Sequence, residues 1–144
     1  MAEGMNGPLY TTEILRLAAS LIEPRELERE DGHAELRSPT CGSRVVTAVQ
    51  INSDGQVEAL SQQVHACAFG QASAALVQDH ATGRTHNEIA DSLVIVSRWL
   101  AREQDEPGDW PSFTTLAPAR SRKSRHGAIL LPFRTLLAAI ESAR

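Results

Sequence analysis

Apolar residues in the first part of the chain recur at helical spacing. Ile14, Leu15, Leu17, Ala18, Leu21 and Ile22 share one side of a 3.6-residue period, which predicts a helix capped at Thr11 or Thr12. Pro24 ends the run, and residues 23–31 read as a charged connector. The period then changes. Ala34, Leu36 and Arg37 suggest a short strand. Val45, Val46, Thr47, Val49 and Ile51 form a β-branched run. Asn52-Ser53-Asp54-Gly55 is a tight-turn signal, and Val57, Ala59, Leu60 and Val64 continue as the returning strand. These segments predict a three-stranded antiparallel meander.

From Cys67 onward the pattern is helical. Residues 68–81 are rich in Ala, Gln and Leu and stop at Gly83. Residues 87–102 place Ile89, Leu93, Val96, Trp99 and Leu100 on one face. Residues 104–111 form a loop, 111–116 a short helix and 119–125 a basic loop. A last helix is expected over 128–143, with Pro132 in its first turn, where a missing N–H costs little. Strands first and helices after predict an α+β fold: a three-stranded antiparallel sheet with helices packed on one face, preceded by an N-terminal helix. Residues 1–8, with two glycines and a proline, read as a disordered leader, and residues 9–144 as a single domain.

Composition narrows the function classes. The chain has 144 residues, 42% hydrophobic and 22% charged, with a formal net charge of −4. An acidic chain with 4% aromatic residues is a poor candidate for a nucleic-acid binder or a base-stacking platform. Two cysteines, Cys41 and Cys67, cannot build a disulfide-rich scaffold. No apolar run approaches the roughly 20 residues that span a bilayer, so a cytoplasmic protein with reduced thiols is expected. Phosphate-loop, Gly-x-Ser-x-Gly, His-Glu-x-x-His and Cys-x-x-Cys motifs are all missing, which argues against a conventional hydrolase, kinase or redox enzyme.

The two cysteines carry the candidate chemistry. Cys67 falls where a strand gives way to a helix, and the positive end of a helix dipole favours a thiolate there. Cys41 sits in the turn Ser38-Pro39-Thr40-Cys41-Gly42-Ser43. A loop thiol and a helix-start thiol brought together by a hairpin make half of a thiolate metal site. The same residues also read as two small buried hydrophobes.

Ser38-Pro39-Thr40-Cys41-Gly42 resembles the Asn-Pro-Thr-Cys-Gly-Asp signature of NifU/IscU/SufU-type iron–sulfur cluster assembly scaffolds. Ala66-Cys67-Ala68-Phe69-Gly70-Gln71-Ala72-Ser73-Ala74 resembles their Gly-Cys-x-x-Ser-x-Ala-Ser segment. Leu131-Pro132-Phe133-Arg134-Thr135-Leu136 is similar to the Leu-Pro-Trp-Arg-Thr-Leu of the SufU-like branch, and Leu9-Tyr10 and Pro24-Arg25 echo the N-terminal helix segment. The resemblance runs from Leu9 to about Ile140, and it implies the IscU-like fold. It also implies a site of three cysteines and an aspartate, which map to Cys41, Cys67, Ser43 in place of the aspartate, and Ala128 or Gly127 in place of the third cysteine.

His126 is the expected substitute ligand, with His65, two residues before Cys67, as a further candidate. His33, His80 and His86 read as surface residues. The resemblance therefore implies a non-enzymatic scaffold-like protein binding iron, a [2Fe–2S] cluster or zinc at Cys41, Cys67 and His126. Cys41 is the possible sulfur acceptor, and a cysteine desulfurase or a cluster acceptor the partner, with a homo-oligomer as a possible assembly. Two other readings stand beside it: a metal-free interaction module with the same fold, and a zinc-binding sulfur acceptor. The basic run Arg120, Arg122, Lys123, Arg125 offers a surface for an acidic partner or a solvated loop.

Overall fold

The structure, a computed structural model, describes residues 10–39 and 42–144. The leader 1–8 and the turn residues Thr40 and Cys41 lie outside the described residues. Helix α1 spans Thr12–Ala19 and is capped by Thr11, whose hydroxyl accepts from the Ile14 N–H at 3.1 Å. It is shorter than the apolar pattern predicts. The Ser20 hydroxyl turns back onto the Leu17 carbonyl at 2.6 Å, and Leu21 and Ile22 leave the helix.

Strands β1 (Gly32–Arg37), β2 (Arg44–Ile51) and β3 (Val57–His65) form one antiparallel sheet in the order β1-β2-β3, as the sequence predicts. The β2–β3 turn closes through Asn52, whose side-chain carbonyl accepts from the Asp54 and Gln56 N–H groups. Gly55 takes a φ of +81°, a conformation costly for residues with a Cβ. Period-2 alternation points Val45, Thr47 and Val49 into the core. On the other face the connector 20–31 ties itself to the sheet. The Arg25 N–H donates to Ser61 Oγ, the Arg29 N–H to Gln50 Oε1, and the Ile51 N–H to Asp31.

Helices α2 (Ala68–His80), α3 (His86–Leu100) and α4 (Lys123–Ser142) follow, with a 3₁₀ segment over Phe113–Ser121 between the last two. α2 and α4 pack on the inner face of the sheet, and α3 packs behind α4. The core joins the sheet to an aromatic group. Trp99 and Phe133 each meet Phe113 edge-on, at 5.7 and 5.8 Å between centroids, and Trp110 meets Phe133 at 4.9 Å. The Trp110 indole N–H donates to the Leu76 carbonyl at 3.1 Å, so its polar handle is satisfied inside the core.

The last part of the chain departs from the sequence reading. The last helix starts at Lys123, five residues before the expected 128, and the short helix over 111–116 is instead the 3₁₀ segment. Residues 119–125 are therefore not a free basic loop. Arg120 stacks 5.0 Å from the Trp99 ring and donates to the carbonyls of Trp99 and Gln104. Pro132 sits in the middle of α4 rather than in its first turn. A proline there gives no N–H to the carbonyl four residues back, which belongs to Ala128. Packing on α2 and the sheet keeps the helix continuous: Ala128–Phe133 are buried, and Ser73 Oγ donates to the Ile129 carbonyl at 2.6 Å. His86 is half-buried at the surface. Its side chain is 18% exposed and its Nε2 lies 2.7 Å from Glu141.

Candidate functional site

The strand register builds the site. Arg37 pairs with Arg44, and Arg44 with His65, so one end of the sheet gathers the β1–β2 turn and the exit of β3. The turn folds through the Gly42 N–H to the Ser38 carbonyl at 3.1 Å and the Ser38 N–H to the Ser43 carbonyl at 2.9 Å. After His65 the chain reaches Cys67, which is extended (φ −69°, ψ 174°) and forms the N-cap of α2. Its carbonyl accepts from the Gln71 N–H at 2.9 Å, while its thiol makes no capping hydrogen bond. The placement at a strand–helix junction is the one the sequence predicts.

A cleft of about 470 Å³ opens there, lined by Gly42, Ser43, Val64, His65, Ala66, Cys67, Gln71 and Arg125. Cys67 is half-buried and His65 exposed. Ser43 is 4% exposed and engaged in the turn. Gln71 donates its side-chain amide to the Ala66 carbonyl at 3.2 Å, which fixes the short link that carries Cys67.

The wall beneath the cleft is set by a close helix–helix approach. A Cβ on Gly70 would lie 3.3 Å from the Ala128 carbonyl and 3.4 Å from the Ala128 Cβ, so α2 and α4 touch backbone to backbone at this level. Ala128 is buried, and Arg125, three residues earlier on α4, lines the cleft.

The expected ligands are distributed unevenly. Cys67, His65 and Ser43 share the cleft. Cys41 belongs to the same turn as Gly42 and Ser43 but lies outside the described residues. His126 does not line the cleft; its Nε2 lies 2.8 Å from the Ala119 carbonyl, which makes that nitrogen the donor. Among the described residues, no group of three or more His, Cys, Asp or Glu is placed to hold a metal ion. A four-coordinate zinc or a [2Fe–2S] cluster needs four ligands, so the described side chains alone do not fit either.

Arg125 is the residue that sequence reasoning missed in this role. It was grouped with a basic loop, whereas an earlier helix start would have put it on the face of Ala128. No helix among the described residues is long and apolar enough to cross a membrane.

No protein-family model matches the chain, and no curated protein matches its sequence. Solved structures do. A NifU-like protein (N-terminal part) from Brucella abortus superposes with a TM-score of 0.85 at 29% identity, over 94% of each chain. A protein from Fervidobacterium islandicum AW-1, described as an iron–sulfur cluster assembly scaffold for the SUF system, superposes with a TM-score of 0.81 at 17% identity. It matches over 92% of this chain and 96% of its own. A hypothetical protein solved at 2.3 Å gives 0.67 at 20% identity, over 90% and 96%.

Proposed function

Because the chain belongs to the NifU/IscU/SufU-type scaffold family, we propose that it acts as a non-enzymatic, scaffold-like protein of iron–sulfur cluster assembly and takes its cargo at the Cys67 cleft. The observation that carries this reading is the position of Cys67. It heads α2 in an open cleft, at the sheet end where the turn bearing Cys41 returns. Two thiolates make such a site able to receive iron or sulfur and release it again, which suits cargo that is substrate rather than resident cofactor. Cys41 and Cys67 are the proposed thiolates, and Cys41, on the turn, the proposed sulfur acceptor. His126, outside the cleft lining and with Nε2 on the Ala119 carbonyl, is the proposed third ligand and would have to reach the thiolates through Nδ1. The proposed partners are a cysteine desulfurase as sulfur donor and an acceptor protein for the finished cluster.

The metal-free interaction module is the second reading, favoured by the shortage of metal-binding side chains among the described residues. Sulfur delivery separates the two. The protein is incubated anaerobically with a cysteine desulfurase and free cysteine, and intact masses are read. The thiolate of Cys41 attacks the outer sulfur of the desulfurase persulfide, a new S–S bond forms, and the desulfurase leaves as thiolate. The scaffold reading expects added sulfur on the wild type and on Cys67→Ser, and none on Cys41→Ser. No added sulfur on any form favours the metal-free module.

A further inference from the structure

We propose that the Cys67 cleft is an anion-selective site in which Arg125 is the specificity-determining residue, and that its small-molecule ligand carries a carboxylate. This rests on the reading of the cleft as the working site. The lining provides a thiol (Cys67), an imidazole (His65), an amide (Gln71), a hydroxyl (Ser43) and a guanidinium (Arg125), and no carboxylate. The chain as a whole is acidic, with 18 Asp and Glu against 14 Lys and Arg, so a carboxylate-free lining runs against its composition. Arg125 is half-buried, and its guanidinium makes no hydrogen bond or ion pair with any described residue, while its backbone N–H donates to the Arg122 carbonyl at 2.8 Å.

The two arginines of this region differ. Arg120 is spent on Trp99 and Gln104, whereas Arg125 lines the same cleft as Cys67. A guanidinium offers a planar fork of donors that matches a carboxylate in bidentate geometry. A half-buried one without a partner among the described residues leaves that fork for a ligand. The anion reaches the cleft with its negative group on Arg125 and its other end at Cys67.

Alkylation of Cys67 tests this without any metal or sulfur cargo. In Cys41→Ser, Cys67 is the one remaining thiol. Its second-order rate constants are measured with iodoacetate, an anion, and iodoacetamide, its neutral near-isostere. In both reactions the thiolate sulfur displaces iodide, so the ratio of the two rates cancels the thiolate fraction and reads the charge preference of the cleft alone. Arg125→Gln, placed in the same background and checked for folding by circular dichroism, should lower the iodoacetate-to-iodoacetamide ratio about fivefold, the size of one partly screened ion pair. Arg125→Lys should fall between. Raising the ionic strength toward about 1 M should compress the difference.

An unchanged ratio in Arg125→Gln, or a folded-state ratio no higher than that of the same protein in denaturant, overturns the proposal. Because no cluster chemistry enters the readout, the cleft can fail here while sulfur delivery succeeds, and the reverse.

Discussion

Gly70→Ala probes the contact that shapes the cleft floor. Alanine is preferred over glycine by about 1 kcal/mol in a helix interior and by less in the first turn, where Gly70 stands, so propensity alone predicts a small stabilisation. Packing opposes it. The added Cβ would lie 2.6 Å from the Ala66 Cβ and 3.3 to 3.4 Å from Ala128. The first distance is far inside van der Waals contact, and both atoms are fixed to backbone, so no rotamer change relieves it. Overpacking of this kind costs about 1–3 kcal/mol, which leaves a net loss of about 1 kcal/mol and a fall in Tm of roughly 3 to 5 °C for a domain of this size. The segment that must yield is Ala66-Cys67, so the substitution should also change the alkylation rate of Cys67. Urea denaturation of Gly70→Ala and wild type, with unchanged slopes, gives the stability difference. An alanine variant as stable as the wild type or more so, with an unaltered Cys67 rate, refutes the claim that Ala66 and Ala128 close tightly over Gly70.

Two further outcomes follow from local chemistry. Thr85 and Glu88 form a complete capping box on α3, the Thr85 hydroxyl accepting from the Glu88 N–H and the Glu88 carboxylate from the Thr85 N–H. Thr85→Ala should cost about 1 kcal/mol by urea denaturation, and Thr85→Ser should recover most of it. The Asp31 carboxyl is held below its ordinary value, first by the Arg29 side-chain hydrogen bond and then by the Ile51 N–H. A lowered folded-state value adds stability that is complete above the ordinary carboxylate value and is lost as pH falls through the folded one. Stability of Asp31→Asn should therefore lie below the wild type at neutral pH and converge with it in acid. A constant gap down to the acid limb contradicts this origin.

The meander was legible because its signals are local and agree with one another. Alternating burial in β2, the Asn52–Gly55 turn and the cap at Thr11 each depend on a few neighbouring residues. The junction at Cys67 was legible for the same reason. The start of α4 was not. Gly127 and the cluster of arginines look like loop chemistry, and Pro132 looks like a helix start, yet burial of Ala128–Phe133 against α2 and the sheet overrides both. Arg125 followed from that error, since its face is defined only once the helix begins at Lys123. His126 stands two positions before Ala128 on α4, and helix positions two apart do not face each other, so its Nε2 meets the Ala119 carbonyl rather than the cleft lining.

The central claim is that thiolates in the Cys67 cleft receive iron–sulfur cargo. Anaerobic incubation with ferrous iron and sulfide, followed by desalting and assay of iron and acid-labile sulfide per chain, tests it most directly. The account predicts iron and sulfide in near-equal amounts on the wild type, readily lost to a chelator, and neither on Cys67→Ser. Equal iron on the wild type and Cys67→Ser, or none on the wild type, would contradict it.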